Sequence, residues 1–425
     1  MNTPTLPPSA TQLWWGLLAL GLSIIAFSLC LNLGFAPLTI IFACGLSYSL
    51  PLLLAEGLKH QKKQAEKRNP FSISDLITKL LGLYATLGFV LFCYWLFPEY
   101  QKELYSAYWH FLEYLAPFIV ILSIPYFMLM QRIDNQKDPY WVLGKILCFD
   151  ARQAIRALEA PKQVLTQHFL KWLVKGFFLP VMFVFLEQNI RLIIENPLHN
   201  ALTISTFFSF SVVVLFSIDL FIAMLGYIFT LKFFDTHIRS VDATLFGWLV
   251  CIICYQPFNA TILTLYISWM KSKTSWVAWV KYEPIAYIWC ALCLCLLAIY
   301  VLATINFGLR FSNLTHRGIL TNGPYRYCKH PAYVAKNLFW WLTTVPFLAS
   351  TPILGIKGAL FLSGFSIIYY LRAKTEEKHL SQDPVYVEYA LWINQHGLFA
   401  RLGKILPFLK YSYINNTTGS STNID

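Results

Sequence analysis

The sequence predicts an all-α integral membrane protein of about ten transmembrane helices, ending in a helical-hairpin module. Three observations predict this. Hydrophobic residues make up 57% of the 425-residue chain and charged residues only 13%, whereas a soluble domain is roughly 25% charged. A soluble chain of this size would lack the polar surface to cover its core. The apolar residues come in long runs, and about 20 residues are what one helix needs to cross a bilayer. The basic residues collect in alternate short loops, the pattern that orients membrane helices.

Taken in order, the apolar runs lie at about 13–33, 35–56, 76–98, 111–130, 173–194, 201–230, 243–268, 284–306, 333–350 and 354–371. The first is longer than the apolar core of a signal peptide and lacks a basic lead-in, so it reads as a retained span. Lys175, Glu187 and Arg191 interrupt the fifth, and the last two, four residues apart, are expected to pair with each other. The ninth and tenth are short and separated by Ser350, Thr351 and Pro352, which predicts a tight helical hairpin. Five basic groups fall on one side of the membrane: Lys59 to Arg68, Arg132 to Lys162, Lys232 to Arg239, Arg310 to Lys329, and Arg372 to Lys410. On the other side only the loop with Lys271, Lys273 and Lys281 dissents. The bias places both termini in the cytoplasm, of a bacterial inner membrane or of the endoplasmic reticulum. The net charge of +12 thus reads as topology signals and contacts for anionic headgroups, with a membrane and no nucleic acid as partner.

Between the fourth and fifth runs, residues 131–172 form the longest interruption. Ala151 to Glu159 is expected to form a short interfacial helix with Ala154, Ile155 and Leu158 on one face. The chain after Tyr411 has the composition of a disordered tail. Most of the ten cysteines sit inside apolar runs. Cys251 and Cys254 have CxxC spacing, but no second pair accompanies them at metal-ligand spacing, so packed core thiols are expected and no metal.

Two polar stretches carry chemistry. The first, Leu320 to Asn337, follows the eighth run. Gly323-Pro324 predicts a turn, and Tyr325, Arg326, Tyr327, Lys329, His330 and Tyr333 crowd the entrance to the ninth. Pro331 suits the first turn of that helix, where its missing N–H is not needed. A helix N-terminus beside cations and aromatics suits an anionic group such as a carboxylate. Basic and aromatic residues at a membrane boundary are also commonplace without any site. The second stretch, Leu371 to Tyr389, follows the tenth run on the same face. Arg372 and Glu376 stand i,i+4 and are expected to form an ion pair. Glu377 points about 100° away from Glu376, so one glutamate is left to face a ligand. The hairpin brings the two stretches together.

Gly323, Pro324, Tyr325, Lys329, His330, Pro331 and Tyr333, followed after the hairpin by Arg372, Glu376, Glu377 and Leu380, resemble the isoprenylcysteine carboxyl methyltransferase and phospholipid methyltransferase superfamily. Tyr386 and Tyr389 also fit. The resemblance covers about 100 residues, roughly 305–410. It implies a cytoplasm-facing pocket for S-adenosylmethionine. Tyr325, Lys329, His330, Pro331, Tyr333, Glu376 and Glu377 would bind the cofactor. His330 and Tyr333 would lie near its methionine end, and the glutamates would take its amino group or ribose hydroxyls. Arg372 and Asn337 are the catalytic candidates. A lipid or lipid-modified acceptor, a carboxylate or an amine, would enter sideways from the bilayer. The chain departs from the pattern at Lys329, where arginine is usual and its bidentate fork is lost, and at Ala335, where glycine is common. On this reading residues 1–242 form a membrane module of about six spans, 243–410 the methyltransferase-like module, and 411–425 the tail.

Two rivals remain open. Sterol reductases and steroid 5α-reductases, which use NADPH, share a His-Pro-x-Tyr segment. They usually carry Asn between Pro and Tyr and acidic residues soon after, where this chain has Ala332, Lys336 and Asn337. A non-catalytic transporter or scaffold would suit ten spans and Asp219, a carboxylate within the sixth run. No inverted repeat supports that reading. Asp219 is costly in a bilayer and is therefore functional, protonated, or hydrogen-bonded to a neighbouring helix. Gln256 and Asn259, beside Pro257 in the seventh run, are expected to fill helix contacts or face an acceptor cavity.

Overall fold

The computed structural model describes residues 5–64, 69–134, 136–150, 152, 156, 161–200, 203–260, 276, 280, 282–344 and 351–412, with backbone only at 59–64, 161 and 199. The described helices are α1 (Leu13–Asn32), α2 (Pro37–Gln64), α3 (Ile73–Leu96), α4 (Ser106–Ile133), α5 (Pro139–Leu147), α6 (Pro161–Glu195), α7 (Ile204–Ile228), α8 (Leu245–Ile252), α9 (Glu283–Phe307), α10 (Pro331–Thr344), α11 (Pro352–Leu380), α12 (Pro384–His396) and α13 (Ala400–Ile405). Eight of these, α1 to α4, α6, α7, α9 and α11, are long and apolar enough to cross a membrane. The protein is an all-α integral membrane protein.

One of the ten expected spans takes another form. The run at 243–268 is not one helix: α8 ends at Ile252 and the chain turns, with the Asn259 side-chain amide donating to the Cys254 carbonyl at 3.1 Å. Pro257, which has no N–H to give, suits a turn better than a helix interior. Residues 261–270 of that run lie outside the described residues. In the run at 333–350, α10 is described over Pro331–Thr344, and positions 345–350 lie outside the described residues. The expected interfacial helix and the tail also lie outside them, save Arg152, Arg156, Tyr411 and Ser412.

Local chemistry sets the helix starts. Ser72, Thr203, Thr244 and Thr351 accept backbone N–H groups at the heads of α3, α7, α8 and α11, and Asp138 and Asp383 do so before Pro139 and Pro384. Pro331 opens α10 and Gly323–Arg326 forms a 3-10 turn, both where the sequence places them. α7 is apolar all round and lies at the centre, with every residue from Phe221 to Tyr227 buried against α6 and α9. Side chains such as Leu29, Phe92 and Ile121 on outer faces are exposed and suit lipid. Glu187 and Arg191 pair along α6 as expected.

Two devices hold the loops at one end of the bundle. After α7 and α9, strands β1 (Ser240–Val241) and β2 (Thr315–His316) pair antiparallel, Ser240 opposite His316. Arg317, next in the chain and buried, donates to the carbonyls of Gly226 (2.7 Å), Phe311 (2.8 Å), Leu309 (2.8 Å), Phe229 (3.3 Å) and Thr236 (2.9 Å). It thereby satisfies the carbonyls that the end of α7 leaves open and joins α7 to α9. At the same end, Ala10 N–H donates to the Ile319 carbonyl (2.8 Å) and Thr321 to that of Pro7 (2.8 Å).

Arg317→Ala strands several buried carbonyls, each worth about 1–3 kcal/mol. Thermal unfolding in detergent is expected to show a loss of about 3 kcal/mol or more. Arg317→Lys is expected to recover little, because an ammonium cannot reproduce the planar fork.

Candidate active site

The loop between α9 and α10 starts the site. Gly323 has φ +55°, the left-handed region that suits glycine. A Cβ there would lie 3.1 Å from Leu13 and 3.3 Å from Asn306. The turn that follows buries Tyr325, whose carbonyl accepts the Tyr389 hydroxyl of α12 at 2.6 Å. Burial, and next the nearby Glu376 carboxylate, pushes the Tyr325 phenol well up, so it stays a neutral donor. The chain then presents Lys329 and His330 to α11, and Pro331 starts α10.

Glu377, five residues past Arg372 on α11 and nearly fully buried, receives them. Its Oε1 lies 2.7 Å from Lys329 Nζ and 3.2 Å from His330 Nε2, and its Oε2 lies 2.9 Å from Lys374 Nζ. Burial lowers the Lys329 pKa and the Glu377 carboxylate opposes that shift. Both oxygens of Glu377 are thus committed to the protein, and the departure from arginine at Lys329 is met by a single ion pair. Glu376, rotated away as expected, accepts the Tyr333 hydroxyl at 2.7 Å and lines a cavity. The Tyr333 and His330 rings lie parallel with centroids 5.5 Å apart.

The expected ion pair between Arg372 and Glu376 does not form. Arg372 instead points to the α8 side, where its guanidinium donates to Asn313 Oδ1 and, at 3.4 Å, to the Tyr255 hydroxyl. It sits over the rings of Tyr333 (5.1 Å), Tyr255 (5.5 Å) and Tyr369 (5.9 Å). Aromatic faces attract the planar cation and cover it from water. Asn337 is not on the cavity wall. Its amide donates to the Tyr333 carbonyl (2.8 Å) and its Oδ1 accepts from Ser366 of α11 (3.1 Å). Pro331 is buried at the foot of α10. Tyr386 is buried beside Tyr389 and Tyr411, behind the site.

A cavity opens here to solvent, with about 910 Å³ of space counted out through its open mouth. Tyr325, Lys329, His330, Tyr333, Arg372 and Glu376 line one side. Sequence reasoning missed the other side. The two-stranded ribbon brings Asp242 and Thr315, the segment before it Asn313, and the turn after α8 Tyr255. On α9, Tyr300 and Thr304 face the cavity and donate to Asp219 of α7 at 2.5 and 2.7 Å. Asp219 is thus hydrogen-bonded to a neighbouring helix, and that helix shows its hydroxyls to the cavity. Lys336 Nζ reaches the Tyr300 hydroxyl at 3.4 Å. A polar i,i+4 pair within an apolar helix was the available signal for Tyr300 and Thr304. For Asp242 and Asn313 there was none. Cys251 is a buried free thiol on the cavity wall, and among the described residues no group of three His, Cys, Asp or Glu could hold a metal ion.

Residues 285–382 match the model of the isoprenylcysteine carboxyl methyltransferase family. The match spans less than a quarter of the chain. It contains both motifs and the hairpin between them, in agreement with the resemblance read from the sequence, and it supports a membrane methyltransferase. It leaves out Asp242, Cys251 and Tyr255, which line the cavity, and Asp219, which holds Tyr300 and Thr304 from behind. No curated protein and no solved structure matches the chain.

Glu377→Ala leaves the ammonium groups of Lys329 and Lys374 facing one another without their shared anion and is expected to cost about 3–5 kcal/mol of stability. Lys374→Ala, removing a partner whose side chain is 31% exposed, is expected to cost about 1 kcal/mol or less. Parallel unfolding curves in detergent check the contrast.

Proposed function

We propose that the protein transfers a methyl group from S-adenosylmethionine to a lipophilic acceptor, a carboxylate or an amine, at the cytoplasmic membrane face, with 243–410 as the methyltransferase-like module. The observation that carries this reading is that the segment matching the methyltransferase family supplies Tyr325, Lys329, His330, Tyr333, Arg372 and Glu376 to one cavity. The basic loops and the shared end of the bundle favour the cytoplasmic face.

The residues present fit the cofactor. Its ammonium and ribose hydroxyls need carboxylates, which Glu376 and Asp242 offer on the cavity wall. Its carboxylate needs a cation, which Lys329 offers. Bound there, S-adenosylmethionine would supply a methyl group already activated on a sulfonium. The chain's own work is therefore positioning and exclusion of water. His330 and Tyr333, stacked and braced by both glutamates, would form one wall of the cofactor site. Glu377 would act through Lys329 and His330 and hold that wall in place. Arg372, which donates to Asn313 and Tyr255 and rests over aromatic rings, is suited to orient an anionic acceptor oxygen. Asn337 would act as a positioning residue, fixing the Tyr333 backbone against α11. The wall formed by Tyr300, Thr304 and Lys336 would face the acceptor. An amine acceptor must lose a proton, and Tyr300, hydrogen-bonded to Asp219, gives it a path.

Calorimetry of the detergent-purified protein with S-adenosylhomocysteine tests the reading. Wild type is expected to bind, and Glu376→Gln and His330→Ala each to weaken binding about tenfold, a loss of about 1.4 kcal/mol. Absence of binding by folded, monodisperse wild type sinks the proposal. Binding of NADPH in its place would transfer the site to the reductases.

A further inference from the structure

The segment that follows α12 combines two properties. Leu398, Leu402, Ile405 and Phe408 are 71, 46, 77 and 54% exposed. Arg401, Lys404 and Lys410 between them are exposed too, and residues 397–412 contain no acid. Such a surface is poorly placed in water and poorly placed in hydrocarbon. It suits the headgroup layer, where apolar side chains reach the acyl boundary and cations meet phosphates.

The segment is folded. Leu398 N–H donates to the Tyr327 carbonyl at 2.8 Å, and Lys374 Nζ to the Lys410 carbonyl at 3.2 Å. Asn394 clamps the Tyr411 backbone with bonds of 2.8 and 2.9 Å, and the Tyr411 hydroxyl meets Ser381 at 2.7 Å. Its apolar side also continues a lipid-facing stripe. Ile356, Leu360 and Ile367 are exposed along α11 and lead to Tyr370, whose hydroxyl donates to the Phe408 carbonyl (3.2 Å) and whose ring meets Phe408 edge-on at 5.9 Å. The bilayer face of α11 therefore runs into this segment at the end of the bundle that holds the candidate site.

We propose that residues 398–410 form a docking element for anionic phospholipid headgroups of the membrane that the protein spans, and that its engagement braces the site. The bracing runs through contacts already on the page: Tyr327 is two residues from Lys329, and Lys374 binds both the Lys410 carbonyl and Glu377. The docking rests only on the membrane-spanning fold; the bracing rests also on the methyl-transfer reading.

The test compares single molecules in nanodiscs of phosphatidylcholine and of phosphatidylcholine with phosphatidylglycerol, which excludes a second copy as the covering partner. Amide hydrogen exchange over 398–410 is expected to slow roughly tenfold with the anionic lipid, while exchange in the core of α7 stays unchanged as a control of folding. Reversing the charges (Arg401→Glu, Lys404→Glu and Lys410→Glu together) is expected to abolish the difference, again with α7 unchanged. Neutral replacement by Gln at the three positions serves should the reversed variant fail to fold. Equal exchange in both lipids, or a difference that survives loss of the charges, overturns the docking. S-adenosylhomocysteine is expected to bind about threefold or more tighter with the anionic lipid. Equal affinity overturns the bracing alone. No binding in either lipid, with the exchange difference intact, removes the methyl-transfer reading and leaves the docking standing.

Discussion

The candidate site depends on a single buried carboxylate. Glu377 neutralises Lys329 and Lys374 and meets His330 Nε2 at the same time. Cations held out of water need an anion at close range. Glu377 meets that need for the loop before α10 and for its own helix together. Tyr333 can then align with His330, Glu376 is left free to face the cavity, and Lys374 is held where it also binds the carbonyl of Lys410. Two adjacent glutamates do opposite work because successive residues on a helix point about 100° apart.

A second constraint acts on the other wall. The cavity needs α7 held at a fixed distance from α9. Arg317 supplies the link by taking carbonyls from the end of α7, the end of α9 and the loop between β1 and α7. The two-stranded ribbon lies beside it and delivers Asp242. Asp219 makes the corresponding tie within the bilayer-depth part of the bundle, through Tyr300 and Thr304. The chain before the family-matched segment therefore takes part in the site, with Asp242 on the cavity wall and Asp219 behind Tyr300 and Thr304.

Much of this was legible in the chain. Long apolar runs announce spans, because an unsatisfied backbone in lipid is too costly to leave outside a helix. Gly323-Pro324 announced a turn and Pro331 a helix start, since each residue restricts its own backbone. The hairpin placed His330 and Glu377 within reach of one another. Other features resisted reading. The run at 243–268 looks continuous by hydropathy, yet α8 stops at Ile252. In the run containing Lys336 and Asn337, those polar groups bond to α9 and α11. The Arg372–Glu376 pair, plausible by spacing, lost to an aromatic cage built from Tyr255, Tyr333 and Tyr369, and no local rule foresees a partner 117 residues away in the chain.

By itself the sequence determined the membrane class, most of the spans and the identity of the two motifs, because these follow from composition, run length and backbone restrictions within a few residues. Only the tertiary structure decided which glutamate holds the protein together and which one faces the cavity. Only it decided that Arg372 rests on aromatic rings and that Asp219, Asp242 and Asn313 complete the site. Those outcomes depend on which side chains meet across helices far apart in the chain, where burial and the pairing of charge, rather than spacing along one helix, select the partner.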